Sequence, residues 1–141
     1  MMMRIVSGSA LFSLSGALCV GMLALKGYAH EASHDMETGQ IISSHVELLM
    51  RKSAGTMIEK CVEIPSLYRV SFNYTSAEVT LFSVHYHQGE EVLLAFDEDE
   101  QSSLSSHFNT QSDQTYCFTW VNEQEQRRDW VISLEYKAAP L

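Results

Sequence analysis

The sequence predicts an all-β chain, an antiparallel β-sandwich of jelly-roll type. Three observations carry that expectation. Apolar and polar residues alternate with period two over several short runs, and the apolar places are filled by aromatic and β-branched residues. Polar or acidic stretches separate the runs, as connections between strands should. Two cysteines, Cys61 and Cys117, stand where one bridge could brace a small core.

The chain opens on a different kind of segment. Met1 to Arg4 carry one positive charge, and Ile5 to Leu25 form an apolar stretch interrupted by serines and glycines. Gly27 and Ala29 then supply the small residues that a signal peptidase reads, so residues 1–29 are expected to be a secretory signal peptide cleaved after Ala29. The competing reading is an uncleaved anchor, because the stretch is just long enough to span a bilayer. Leu18-Cys19 lacks the small residue before cysteine that a lipoprotein site needs. The expectation is an exported protein, periplasmic or extracellular, with no stable membrane insertion after cleavage.

Cleavage deepens the acidity. The chain has 9 Lys+Arg against 18 Asp+Glu; losing Arg4 and Lys26 leaves 7 against 18, a net charge of −11. Nucleic acid and anionic membrane are excluded as partners, since phosphates require basic side chains to neutralise them. A chain of this size makes one domain with one modest core. Cys19 leaves with the signal segment, and the two remaining cysteines in an oxidising compartment form one disulfide. Free thiols or a soft-metal site are the alternative, which no CxxC spacing supports.

Residues 30–56 are expected to be a polar N-terminal segment. Ser44 and Glu47 have capping-box spacing, with Val46, Leu49 and Met50 following at helical intervals, so a short helix ending at Gly55 fits. A strand from Ile41 onward fits as well. Residues 57–141 form the sandwich. Six strands are expected: Met57 to Ile64, Leu67 to Thr75, Glu78 to His87, Glu91 to Phe96, Thr115 to Val121 and Trp130 to Lys137. Asp97 to Asp113, acidic and Ser-rich, and Asn122 to Asp129 read as loops. Tyr68, Val70, Phe72 and Tyr74 share one face, as do Tyr116, Phe118 and Trp120, with Cys117 on the other. Phe118, Trp120, Trp130 and Tyr74 are read as core packing.

The stretch Gln114 to Asn122, with Tyr116-Cys117-Phe118 at its centre, a polar loop after it and the strand Trp130 to Tyr136, resembles the end of a GOLD domain. That domain is the luminal β-sandwich of the emp24/p24 proteins. There an aromatic-Cys-Phe segment ends in an Asn, and its cysteine pairs with one in an early strand, the place that Cys61 occupies here. The resemblance covers residues 57–137. It implies the sandwich fold, the Cys61–Cys117 bridge and a non-catalytic module that binds protein or a small ligand. Cargo-receptor members carry a coiled coil, a membrane helix and a cytosolic tail after this domain, whereas this sequence ends at Leu141, so a cargo-receptor role is not expected to carry over. Phe82 to Gly89 is similar to a segment of small exported bacterial relatives of that fold.

His85 and His87 are the sharpest chemical feature. Residues i and i+2 of a strand face the same side, with Cβ atoms about 6.5 Å apart, a spacing from which two imidazoles can converge on one metal. The plain reading is a pair of surface histidines. Further ligands could come from His107, His45, His34, His30, Glu90 or Glu91, and imidazoles beside Met50 or Met57 would favour copper, then zinc. Cleavage after Ala29 would make His30 the terminal residue, as in a copper histidine brace. His85-x-His87-x3-Glu91 also resembles the first metal motif of the cupins, a family of metal enzymes, although the flanking glycines and the second motif are missing. Asp97 to Glu100 could offer oxygen ligands to calcium but reads as a solvated acidic loop. The expected function is thus an exported binding module without a cofactor. A copper- or zinc-binding protein is the second reading and a cupin-like metal enzyme the third.

Overall fold

The computed structural model describes residues 39–141. The signal-peptide reading of residues 1–29, and His30 and His34, fall outside the described residues. Six strands follow in order: β1 Ile42–Met50, β2 Thr56–Ile64, β3 Tyr68–Gln88, β4 Glu91–Asn109, β5 Gln114–Asn122 and β6 Trp130–Pro140. Every pairing is antiparallel, so the expected all-β class holds.

β3 is the spine. Its first half, Tyr68 to Ser76, pairs with β6, and its second half, Leu81 to Tyr86, pairs with β5. β4 runs along the other edge of both halves. β1 extends the sheet beyond β6, and β2 extends it beyond β5. The sheet therefore curls into two halves that share β3 and β4. Register shifts between Thr75 and Thr80 mark the changeover, as bulges do where a strand passes between packed layers. Ser76 holds this corner. Its hydroxyl donates to the Glu78 carbonyl at 2.6 Å and accepts from the Trp130 indole N–H at 2.8 Å and from the Glu78 N–H at 3.3 Å. Its single donor and both lone pairs are thereby used.

Aromatic rings fill the space between the halves. Phe72 lies 5.3 Å from Phe82, 5.3 Å from Phe96 and 5.7 Å from Phe118, ring centre to ring centre. Phe118, from the β5 half, stacks on Tyr136, from the β6 half, at 5.5 Å. Phe82, Val84, Phe118, Trp120, Ile132 and Leu134 are fully buried. Each such side chain contributes about 1.5–3 kcal/mol of transfer free energy. The alternation read from the sequence is the cause, because one face of each run is all core. Trp120 Nε1 is buried without a hydrogen-bond partner among the described residues.

Three sequence expectations are corrected. The short helix over residues 44–50 is a strand. Ile42 to Met50 pair residue for residue with Ala138 to Trp130, and that open edge of β6 outweighs a local capping signal. The expected loop from Asp97 to Asp113 is mostly β4, which continues to Asn109 with Leu104 turned inward and Phe108 buried. Ser103, Ser105, Asp97, Glu98 and Glu100 face solvent on an edge strand, where charge guards against unwanted pairing. The two expected strands Leu67 to Thr75 and Glu78 to His87 are one strand of 21 residues. The β3–β4 hairpin closes through Gly89 and Glu90 between the paired Gln88 and Glu91. Gly89 adopts φ 64°, the conformation a two-residue turn asks of its first central residue.

Candidate functional site

The outer face of the β2–β5–β3 half carries the chemistry. Register places Cys61, Cys117, His85 and Leu94 in one row across β2, β5, β3 and β4. Cys61 and Cys117 stand directly opposite one another, Cα atoms 4.0 Å apart, and their sulfurs are bonded at 2.01 Å. The expected bridge is present.

His85 is not splayed into solvent; its side chain is only 14% exposed. Nδ1 lies 3.1 Å from the Thr119 hydroxyl, and that hydroxyl lies 3.1 Å from Glu59 Oε1. Glu59 Oε1 in turn is 3.7 Å from His85 Nε2. A hydroxyl has one proton, and an ionised carboxylate is its strongest acceptor here. With the ring proton on Nδ1, Thr119 accepts from His85 Nδ1–H and donates to Glu59 Oε1. That assignment leaves Nε2 with its lone pair free. His87, the next residue on the same face, is exposed, and its ring centre is 5.3 Å from that of His85 at an interplanar angle of 76°. Glu59, His85 and Cys117 each offer a ligand-type atom within 4.8 Å of the others.

Sequence reasoning missed Glu59 and Thr119. The signal was available once the bridge is accepted. Pairing Cys61 with Cys117 in antiparallel strands sets Glu59 opposite Thr119, two residues away on the same face.

Among the described residues, the remaining candidates do not join this group. His107 pairs with Ser71, in the other half of the β3–β4 hairpin. Glu91 pairs with Gln88, one residue before the Val92 that pairs with His87, so alternation turns it to the opposite face. The three residues with cupin-like spacing therefore do not converge. His45 lies on the outer face of β1, with Nε2 3.0 Å from the Ser133 hydroxyl. It borders an open depression lined also by Ser71, Asn73, Glu135 and Lys137. Met50 is fully buried in the core and unavailable as a soft ligand, whereas Met57 is exposed. Asp97 to Glu100 lie within β4, where consecutive side chains diverge rather than surround a cation.

A second polar cluster closes one end of the sandwich. Asn122, fully buried, donates through Nδ2 to the carbonyls of Arg51, Lys52 and Ser53 at 3.2, 3.0 and 3.0 Å. Its Oδ1 accepts from the Gln124 N–H at 3.3 Å. Asp129 accepts from Arg51 Nη1 at 2.7 Å and from the Lys52 N–H at 2.9 Å. These bonds, the Arg51 side chain first, hold its carboxyl below the usual carboxylate range. Asn122 and Asp129 thus bind the β1–β2 turn to the β5–β6 loop.

Among the described residues no helix is long and apolar enough to cross a membrane. No protein-family model matches the chain, and no curated protein matches it in sequence. Among solved structures the chain is similar to one from the structure of infectious bursal disease virus Gx strain, with 9% identity over 72% of this chain and a TM-score of 0.43. The match spans 33% of that viral chain, and a likeness so distant bears on neither family nor function.

Proposed function

We propose that the chain is an exported, disulfide-braced binding module without catalytic activity, and that the outer face around His85 and His87 is its contact region. The observation that carries the reading is the contrast within this face. A rigid three-strand platform, cross-linked at Cys61–Cys117, holds His85 Nε2 and the Glu59 carboxylate beside an exposed His87. Positioned polar groups with spare bonding capacity on a rigid scaffold are what recognition requires. The GOLD resemblance supports the same reading: the bridge joins an early strand, β2, to the aromatic-Cys-Phe strand β5, and the chain is a curled antiparallel sheet. A net charge of −11 after cleavage at Ala29 leaves protein or a small ligand, rather than nucleic acid, as the partner.

The test has two arms. Mass spectrometry of the chain recovered from its native host should find His30 at the N-terminus in the exported fraction; an intact Met1 in the membrane fraction would overturn export. A photo-crosslinking residue at position 87 should yield adducts in the host, and the same residue at position 107 should not. Equal yields would remove the assignment of the contact face.

A second reading is favoured by one distance. Two imidazoles sharing a tetrahedral ion hold their ring centres about 5 Å apart, close to the 5.3 Å between His85 and His87. Copper or zinc would be the ion. Elemental analysis of protein purified without chelators should then find metal that is lost in His87→Ala; metal-free wild-type protein would refute this reading.

A further inference from the structure

We propose that the Cys61–Cys117 bridge masks a second, thiolate-based metal site, and that its reduction creates a four-ligand site for Zn²⁺ or Cu⁺ from Cys61, Cys117, His85 and Glu59. The site requires neither a macromolecular partner nor His87.

Three observations place these groups together. Both sulfurs lie on the same outer face as His85, in one cross-strand row. The Cys117 sulfur, one His85 ring nitrogen and one Glu59 oxygen already fall within 4.8 Å of one another. Atoms that share a tetrahedral zinc ion are separated by about 3.3–3.8 Å. Cys117, His85 and Glu59 must therefore close by about an ångström, while the two sulfurs, once unbonded, must separate to that spacing, a side-chain adjustment on a fixed sheet. Thr119 completes the arrangement. By accepting from His85 Nδ1–H it sets the tautomer that presents Nε2, which is the role of a hydrogen-bonding partner behind a metal-bound imidazole.

The bridge is what keeps the site closed. A sulfur in a disulfide carries no thiolate charge and is a poor ligand. A dithiol reductant changes that by thiol–disulfide exchange. One of its thiolates attacks a bridge sulfur, the Cys61–Cys117 bond breaks, and its second thiol resolves the mixed disulfide. Two electrons and two protons pass to the bridge, giving two cysteine thiols and one disulfide on the reductant. Binding of the cation then displaces both thiol protons to solvent. Two thiolates, one imidazole and one carboxylate make a tetrahedral donor set suited to zinc, and the thiolates suit Cu⁺ as well. The oxidised chain would hold the fold, and the reduced chain would exchange a covalent brace for a coordinate one.

The experiment compares the full chain in its oxidised form with the same chain reduced by a dithiol and desalted without oxygen. Zn²⁺ affinity is read by competition with a chromophoric chelator, and Co²⁺ serves as a spectroscopic probe. The reduced chain should bind one ion at least about 100-fold more tightly than the oxidised chain, and should show a thiolate-to-cobalt charge-transfer band. His85→Ala should weaken binding to the reduced chain, and Thr119→Val should weaken it about 10-fold. Cys61→Ser should lose the two-thiolate band, while His87→Ala should bind as wild type. If the reduced chain unfolds, Zn²⁺ should restore its β-sheet circular dichroism in wild type but not in His85→Ala. Equal affinity of the two redox forms, binding indifferent to His85→Ala, or an unfolded reduced chain that Zn²⁺ does not restore would each overturn the proposal. Loss of binding in His87→Ala would assign the metal to the imidazole pair instead.

Discussion

Two polar clusters hang on the same strand and are built on opposite principles. At the end of β5, Asn122 is fully buried, and its side chain makes four hydrogen bonds, each to backbone. In the middle of β5, Thr119 joins Glu59 and His85 beside the bridge, and there His85 Nε2 faces the Glu59 carboxylate at 3.7 Å and His87 stands exposed. The first cluster is closed: its polar atoms are spent on joining two connections. The second is open: its geometry is fixed by one hydroxyl, and its ligand-type atoms retain capacity. Burial of polar groups with full satisfaction stabilises a fold. Groups that are held in place and left unsatisfied at the surface are free to engage something else.

That contrast can be broken in order of effect. Removing the bridge, as in the Cys61→Ala/Cys117→Ala double variant, should cost the most. The cysteines are separated by 56 residues in sequence, and chain entropy for such a loop comes to about 4 kcal/mol. Urea unfolding of the double variant checks it. Next, Asn122→Ala should lose about 2–3 kcal/mol, because three turn carbonyls lose their shared donor and a buried site empties. Its circular dichroism should keep the sheet while the β1–β2 turn becomes open to proteolysis.

Two smaller effects depend on pH. Burial pushes the Tyr74 hydroxyl up to about 12, so the unfolded chain, titrating near 10.0, loses its proton first. The stabilisation is whole below the unfolded value and is lost as pH rises toward the folded one. Tyr74→Phe should thus raise the alkaline unfolding midpoint, read by circular dichroism across that window. Asp129 behaves in the opposite sense. Its carboxyl is depressed by the bonds from Arg51 and Lys52, so its contribution is present above the ordinary carboxylate range and disappears as pH falls through its lowered value. The Tm difference between wild type and Asp129→Asn should be small near neutrality and should vanish in acid.

How much of this could be read in the sequence follows from where each signal resides. Tyr68, Val70, Phe72 and Tyr74 alternate with polar residues because one face is entirely core, so that half of β3 was legible. The β1 strand was ambiguous because its helix signal is local, whereas its real partner, β6, begins 80 residues beyond Met50. The outer half of β4 was read as a loop because an edge strand needs few apolar residues; only Leu104 and Phe108 turn inward there. Ser76 and Ala77 looked like a break between strands and lie at the corner where β3 changes layer. His85 and His87 were found from their spacing. Their neighbours Glu59 and Thr119 were not, since a cross-strand contact exists only after register is known.

The distinction between a closed and an open cluster rests most directly on urea unfolding of His85→Ala beside Asn122→Ala. The expected result is a loss of about 1 kcal/mol in His85→Ala, whose side chain gives up one hydrogen bond, to Thr119, and a loss two to three times larger for Asn122→Ala, which gives up four. A loss in His85→Ala as large as that in Asn122→Ala would contradict it. The histidine would then be a structural member of the sheet rather than a group held ready for a ligand.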